Sequence, residues 1–285
     1  MTKNPAGEER TEKPAHSSRL RRAFRWRVRP VADSIAAAFC LLAVATIWIG
    51  VDAVRTNAKL RSEDITSSSL LKAIHPNGLA NPAGSLAPDK GKFKILVSGQ
   101  QTGTEEFSIG PNGGNWLARG NAEIQTPQGA AHITGNLELR PDGMPVRYEW
   151  SMQGPKKAGS TIVFDGKTAN VELRMEGARP YTQQFTFDSD RVVVLDNNMY
   201  DQYAILARLY DWDKKGAQTF SVIVPQEMTP GTVTVESLGK QDSSGGAKLE
   251  ELRVKTEDLE IDLFVDGQRL VRLVSPSANA EIIRE

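Results

Sequence analysis

The stretch TIVFDGKTANVELRM, residues 161–175, decides the fold class of this chain. From Val171 to Met175 apolar and charged residues alternate, and successive residues of a β-strand point to opposite faces of a sheet. Asp165-Gly166 permits the positive φ angles that a tight type I′ turn requires. The stretch therefore predicts two half-buried antiparallel strands that are joined by a hairpin turn.

The same turn chemistry predicts two further hairpins. Their turns and flanking strands are Asp266-Gly267 between residues 259–265 and 268–274, and Pro141-Asp142-Gly143 between residues 133–140 and 145–153. Short strands separated by regular turn signals are typical of an all-β fold. We predict a mainly β domain over residues 92–285, with about ten to twelve strands in an antiparallel meander that forms a curved half-barrel or a barrel.

One segment, Met199 to Trp212, has helical rather than strand periodicity. Asp201 and Arg208 fall on the side opposite an apolar stripe, which consists of Met199, Tyr203, Leu206 and Tyr210, with Ile205 and Leu209 beside them. Asn198 occupies the position of an N-cap, and Asp201 follows three residues later. We predict a single amphipathic helix that covers an open face of the sheet or plugs a barrel.

An uncharged apolar run from Ser34 to Val51 precedes the β-rich part, and arginines are concentrated on its amino side. A helix needs about 20 apolar residues to cross a bilayer, so this run predicts one transmembrane helix within residues 31–54. The arginine excess predicts a cytoplasmic amino terminus and an extracytoplasmic carboxy-terminal part. An uncleaved signal anchor is favoured over two alternatives: cleavage after the run, and lipoprotein processing at Cys40, which follows the bulky Phe39.

The chain divides into four predicted segments. Residues 1–30 form a disordered basic cytoplasmic tail, 31–54 the signal anchor, 55–91 a juxtamembrane segment with a Pro/Gly-rich linker, and 92–285 the exported domain. From residue 62 onward, 23 Lys and Arg stand against 30 Asp and Glu, a net charge of −7. This balance argues against nucleic-acid binding, because phosphate backbones are bound by clustered Lys and Arg.

The exported domain carries no catalytic signature. It has no cysteine and only one histidine, His132, which lies on a predicted strand and is expected to face solvent. A thiol nucleophile and a histidine pair for zinc are therefore missing. The aspartates from Asp188 to Asp213 are the best candidates for a carboxylate site, but their spacing matches no calcium loop. We predict no catalytic residues, no metal ligands and no cofactor.

Aromatic and apolar side chains offer a ligand-binding surface instead. Trp150 lies on a predicted strand, while Tyr200, Tyr203, Leu206 and Tyr210 lie on or beside the helix. If the helix and a curved sheet enclose a cavity, these five side chains line an apolar pocket that has polar handles. A solid core filled by the same residues is the alternative, because both arrangements require the same alternation.

The carboxy-terminal part has a distinctive order of elements. A strand at Val192–Asp196, the helix over Met199–Asp211, a strand at Gln218–Pro225 and a closing pair at Leu270–Pro276 and Ile282–Arg284 follow one another. This order resembles bacterial envelope domains of unknown function that are similar to lipoprotein-carrier (LolA/LolB-type) proteins. The resemblance covers residues 92–285 and implies a curved half-barrel closed by a helix around an apolar cavity. It implies no catalytic residue, and the membrane anchor is a departure from the soluble carriers.

These observations predict a non-enzymatic protein of the cell envelope, anchored in the inner membrane through residues 34–51, that binds a lipid, a lipoprotein or another apolar molecule. Two alternatives stay open. The domain could be an interaction module that recruits another envelope protein through strand edges and loops. It could also be a hydrolase that uses the aspartates from Asp188 to Asp213.

Overall fold

The computed structural model describes residues 86–242, 248–256 and 259–285. The predicted cytoplasmic tail, the signal anchor and the linker up to residue 85 lie outside the described residues. Within the described part of the chain, no helix is long and apolar enough to span a membrane. The first strand begins at Asp89, three residues before the predicted start of the exported domain.

Fifteen strands and one helix make up the described domain. Their bounds in chain order are β1 Asp89–Val97, β2 Gln100–Asn112, β3 Asn115–Thr126, β4 Gly129–Leu139, β5 Pro145–Gln153, β6 Ala158–Asp165, β7 Thr168–Met175, β8 Tyr181–Thr186, β9 Val192–Val194, α1 Asp201–Leu209, β10 Gln218–Val224, β11 Thr229–Asp242, β12 Lys248–Lys255, β13 Glu260–Asp266, β14 Arg269–Ser275 and β15 Ala280–Arg284.

The strands form one sheet in the order β8-β7-β6-β5-β4-β3-β2-β1-β15-β14-β13-β12-β11-β10-β9. Neighbouring strands are antiparallel, except that β9 runs parallel to β10. β1 pairs with β15, with Phe93 opposite Arg284, so the first and last strands of the described domain meet within the sheet. The sheet has two free edges, β8 and β9, which follow one another in the chain.

The prediction of a mainly β fold with one helix is confirmed for the described residues. The barrel alternative is wrong, because β8 and β9 lie at opposite edges of the sheet and do not pair. The predicted number of strands is too low. Strands such as β2 and β8 consist largely of polar residues, so apolar alternation gives little sign of them.

All three predicted hairpin turns are confirmed, and Gly166 and Gly267 have φ angles of 56° and 61° in the two Asp-Gly turns. The strand register aligns buried residues into rows on one face of the sheet. One row runs through Phe107, Gly120, Gly135, Trp150 and Ser160 on five neighbouring strands. We call the face that carries this row the inner face. His132 is exposed, as its place on β4 predicts.

Helix α1 is shorter and more deeply buried than the sequence predicts. It spans Asp201–Leu209, and all nine residues are buried. Asp201 and Arg208, opposite the apolar stripe, are each only 3% exposed. The amino end of α1 packs on the inner face, where a Cβ at Gly120 would lie 2.8 Å from Sδ of Met199. The helix is therefore an internal part of the core and not a half-exposed cover.

Substitution of Leu206 tests whether α1 is part of the core, because the Leu206 side chain is fully buried. Leu206→Ala leaves a cavity in the core and is expected to lower the free energy of unfolding by about 2–5 kcal/mol. Leu238→Ala is the matched control: Leu238 lies on β11 and is 40% exposed, so a change within about 0.5 kcal/mol is expected. Chemical denaturation of the full-length chain measures both variants. Equal, small losses would show that α1 does not belong to the core.

Candidate functional site

A carboxylate from β2 holds the amino end of α1. Glu105 Oε2 accepts a hydrogen bond from the backbone N–H of Tyr200 at 2.7 Å, and Oε1 accepts one from that of Asp201 at 3.1 Å. Tyr200 occupies the N-cap position without a capping bond from its own side chain. Glu105 therefore supplies the acceptor that a helix terminus requires. The prediction of Asn198 as the N-cap is wrong, because α1 begins at Asp201 and Tyr200 occupies the N-cap position. The Asn198 backbone N–H instead donates to the Asp196 carboxylate at 2.8 Å.

Glu105 and Asp201 form a buried pair of carboxyl groups, 0% and 3% exposed. Burial and the neighbouring charge of Asp201 raise the pKa of Glu105 well above its usual range. Burial also raises the pKa of Asp201 to about 7, although the hydrogen bond with Glu105 favours its ionised form. Two adjacent negative charges are strongly disfavoured in a low-dielectric interior. The pair therefore retains a proton near neutral pH.

A third buried carboxyl group fixes the loop that leads into α1. Tyr148 on β5 donates its hydroxyl hydrogen to Asp196 Oδ2 at 2.8 Å. The backbone N–H of Asp196 donates to Oε1 of Gln202 on α1 at 2.6 Å. Burial raises the pKa of Asp196 although hydrogen bonds from Asn198, Gln226 and Tyr148 favour its ionised form. Burial together with the Asp196 charge raises the pKa of Tyr148. The network ties β5, the loop and the helix together.

The aspartates between Asp188 and Asp213 do not converge on one site. Asp196 and Asp201 are buried structural groups, whereas Asp188, Asp190 and Asp213 are exposed. Asp211 Oδ1 accepts backbone hydrogen bonds from the two residues at positions 213 and 214, so it caps a turn. In the described ranges, no group of three His, Cys, Asp or Glu side chains is placed to hold a metal ion.

The five predicted ligand-binding residues all belong to the buried core. Their exposed fractions are Trp150 5%, Tyr200 6%, Tyr203 9%, Leu206 0% and Tyr210 0%. With α1 in this position they fill the interior. A cavity between α1, β4 and β9 has a volume of about 10 Å³, which is near the lower limit for a single water molecule. A ligand in this region therefore requires α1 to shift.

Two polar side chains on the inner face have no hydrogen-bond partner. Trp150 on β5 and Ser160 on β6 lie directly opposite one another, and both Trp150 Nε1 and Ser160 Oγ are buried and unpaired. On the other side of Trp150 the row continues with Gly135, which has no side chain. A buried polar group without a partner costs about 1–3 kcal/mol. The pair therefore marks a place where a bound molecule would gain hydrogen bonds.

The sequence predicts Trp150 as a ligand-binding residue and does not single out Ser160 or Glu105. Ser160 stands at the edge of the stretch that predicts β6, and nothing in its neighbours indicates that it faces inward. Glu105 is followed by a second glutamate, Glu106, and of the two only Glu105 is buried. Strand alternation counted from Phe107 and Ile109 is the signal that could have found Glu105.

Comparison with protein-family models found no match for this chain, and comparison with curated proteins found none either. Among solved structures, the crystal structure of a DUF1089 family protein from Pseudomonas aeruginosa is similar. The TM-score is 0.40 and the sequence identity is 10%, over 60% of this chain and 89% of that chain. At this level of similarity, the match carries no inference about function.

The carboxyl pair predicts that stability falls as the pH rises. Because the pKa values of Glu105 and Asp201 are raised on folding, the folded state holds more protons than the unfolded state between about pH 4 and pH 7. Each extra proton contributes a slope of about −1.4 kcal/mol per pH unit to the free energy of unfolding. Glu105→Gln removes the like charge beside Asp201, so this slope is expected to become shallower.

Thermal unfolding of the full-length chain at several pH values from 4 to 8 measures the effect. Glu106→Gln is the matched control on the same strand, because the Glu106 side chain is 71% exposed and lies 3.4 Å from Lys92. Its pH profile is expected to follow that of the wild type. Parallel profiles for all three proteins would show that the buried pair does not hold the extra proton.

Proposed function

We propose that this chain is a non-enzymatic envelope protein that binds a lipid, or another apolar molecule with polar oxygens, on the inner face of its sheet. The observation that carries the proposal is the pair of unpaired donors, Trp150 Nε1 and Ser160 Oγ. An indole N–H only donates, and a hydroxyl donates as well as accepts. The pair therefore suits an ester, carbonyl or hydroxyl oxygen at the polar end of a lipid.

The same face offers an environment for the apolar part of such a ligand. Met152, Ile162 and Val171 lie buried on β5, β6 and β7, around the two donors. Burial of an acyl chain contributes about 0.8 kcal/mol per CH₂. The chain then supplies most of the affinity, while the two donors select and orient the polar end.

Ligand binding in this proposal requires α1 to shift, because the helix and its side chains occupy the interior. A helix of nine residues is too short to be stable alone, so its position depends on its contacts with the sheet. The sheet ends in two free edges, β8 and β9. Widening of the interior between these edges keeps every strand pair and separates the contacts of β8 with β11 and of β9 with β5.

The apolar run Ser34–Val51 supports a location at the inner membrane, with the β-rich domain on the extracytoplasmic side. A domain tethered in this way meets lipids that leave the bilayer. The resemblance to lipoprotein-carrier proteins supports the same class of ligand. The anchor favours presentation or sensing at one membrane over free transport between two membranes.

Photo-crosslinking tests the proposal. The full-length chain is incubated in detergent with a fatty acid that carries a diazirine in its acyl chain, and the labelled peptides are identified by mass spectrometry. Labels are expected in β4–β6 and α1 in addition to the membrane run. Mapping separates a bound ligand from lipid that merely surrounds the anchor.

Ser160→Ala sharpens the test, because it removes one donor and little volume. The unpaired hydroxyl stabilises nothing in the free protein, so the melting temperature is expected to stay level or rise. Loss of one hydrogen bond is expected to reduce labelling of the inner face about tenfold. Ser151→Ala, where the hydroxyl meets Thr134 Oγ1 at 2.9 Å and is only partly buried, is the matched control. Labels confined to residues 34–51, or unchanged by Ser160→Ala, would refute the proposal.

A separate feature favours the second candidate function, recruitment of another envelope protein. The surface of β6–β8 carries a concavity of about 460 Å³, lined mainly by polar side chains: Thr161, Val163, Asn170, Val171, Glu172, Thr182, Gln183 and Gln184. It adjoins the edge strand β8, and the free backbone of an edge strand can pair with an extended peptide. A domain that acts only in this way is expected to give no lipid label on the inner face.

A further inference from the structure

A second cluster of buried charges lies toward the carboxyl end of α1. Arg208 Nη2 donates to Asp89 Oδ2 at 2.7 Å, and Arg284 Nη2 donates to Asp89 Oδ1 at 2.6 Å. The side chains of Arg208 and Arg284 are each 4% exposed, and that of Asp89 is 9% exposed. One carboxylate from β1 therefore bridges two arginines, one from α1 and one from β15.

The charges in this cluster do not balance. Guanidinium groups carry a positive charge in proteins, whereas Asp89 supplies a single negative charge. Burial alone would raise the pKa of Asp89, but hydrogen bonds and charge from Arg284 and Arg208 outweigh it and hold the pKa below its usual value. Arg208 and Arg284 make no other ion pair within the described residues. One positive charge is therefore left over in a buried place, where an uncompensated charge is costly.

Both arginines also have an unpaired donor. Arg208 Nε and Arg284 Nε are buried and make no hydrogen bond. The remaining donors are better satisfied: Arg208 Nη1 donates to the backbone oxygen of Ala204 at 2.9 Å, and Arg284 Nη2 to that of Lys90 at 2.6 Å. Two N–H donors of the cluster therefore lack a hydrogen-bond partner, and one positive charge lacks a counter-charge. An anionic oxygen group satisfies both.

The surroundings of Arg284 are aromatic. The Arg284 guanidinium lies 5.1 Å from the ring centre of Phe107, and Phe107 stacks on Phe93 with ring centres 4.8 Å apart. Gly91 makes room for the guanidinium, since a Cβ at this position would lie 2.8 Å from Arg284 Nη2. A charged group beside a stacked aromatic pair suits a molecule with an anionic end and an apolar body.

We propose that Arg208 and Arg284 form a binding site for an anionic oxygen group, the carboxylate or phosphate of an amphiphilic ligand. The apolar part of this inference rests on the proposed lipid-binding function, and the anion site rests on the arginines alone. The guanidinium fork binds a carboxylate or phosphate through parallel N–H donors. In the free protein Asp89 accepts hydrogen bonds from the Nη2 atoms of both arginines. The ligand binds to the Nε donors, which have no partner.

Asp89→Asn tests the site, because it removes the internal carboxylate and leaves both arginines in place. The variant is expected to unfold at a lower temperature than the wild type, and an added anion is expected to restore its stability. It should also bind the anion about tenfold more tightly than the wild type, since the competing charge is gone. A purely structural cluster would lose stability without any such rescue.

The probes are octanoate, 1-octanol and inorganic phosphate, added to the full-length chain in phosphatidylcholine nanodiscs. Octanol controls for the apolar chain without the charge. Asp142→Asn is the matched control variant, because Asp142 forms an exposed two-bond pair with Arg140, at 3.1 and 2.9 Å. Arg208→Lys is a second variant that keeps the charge and loses the Nε donor. Its octanoate affinity is expected to fall about tenfold while its response to octanol stays unchanged.

Each result decides between the proposals. Rescue of Asp89→Asn by octanoate but not by octanol or phosphate supports both the anion site and an amphiphilic ligand. Rescue by phosphate as well as by octanoate supports the anion site but assigns it to a free anion, which counts against a lipid at this place. Absence of rescue by any anion, with Arg208→Lys binding octanoate like the wild type, overturns the anion site. That result does not affect the proposed function, which the crosslinking of the inner face tests independently.

Discussion

The interior of this domain is organised around a short helix that carries two ionisable residues into it. Asp201 and Arg208 lie toward opposite ends of α1, and each is only 3% exposed. Ionisable groups are buried in proteins only where they are hydrogen-bonded or paired. Glu105 bonds to the amino end of the helix, and Asp89 pairs with Arg208 near the other end. The position of α1 is thus fixed by electrostatics at both ends, in addition to the apolar stripe between them.

The topology of the sheet supplies these partners. Asp89 and Glu105 come from the neighbouring strands β1 and β2, and Arg284 reaches Asp89 because β15 pairs with β1. The pairing of the first and last strands of the domain therefore does more than extend the sheet. It assembles the arginine cluster from residues 195 positions apart in the chain. Gly120 and Gly135, by leaving the inner face bare, let Met199 and the start of α1 lie against the strands.

The sequence is informative wherever the controlling interaction is local. Asp165-Gly166 and Asp266-Gly267 fix hairpins through their own backbone angles, and the stripe around Leu206 identifies the helix. The partners of Asp201 and Arg208 lie 96 and 119 residues away in the chain. The helical pattern alone therefore assigns both residues to a solvent-exposed face, whereas every residue of α1 is buried. Ser160 is a similar case, because an inward serine becomes visible only once the strand register is known.

The buried polar groups of α1 have a consequence for how firmly the helix is held in the core. Apolar residues of similar size in place of a buried ion pair often leave a protein equally stable or more stable, because burial of the charges costs hydration. When a wholly apolar helix leaves its core, apolar surface is exposed to water and no polar group regains hydration to offset that cost. Departure of α1 instead returns Asp201 and Arg208 to water together with their partners Glu105 and Asp89. A filled interior closed by such a helix is therefore easier to open than one closed by apolar contacts of equal area.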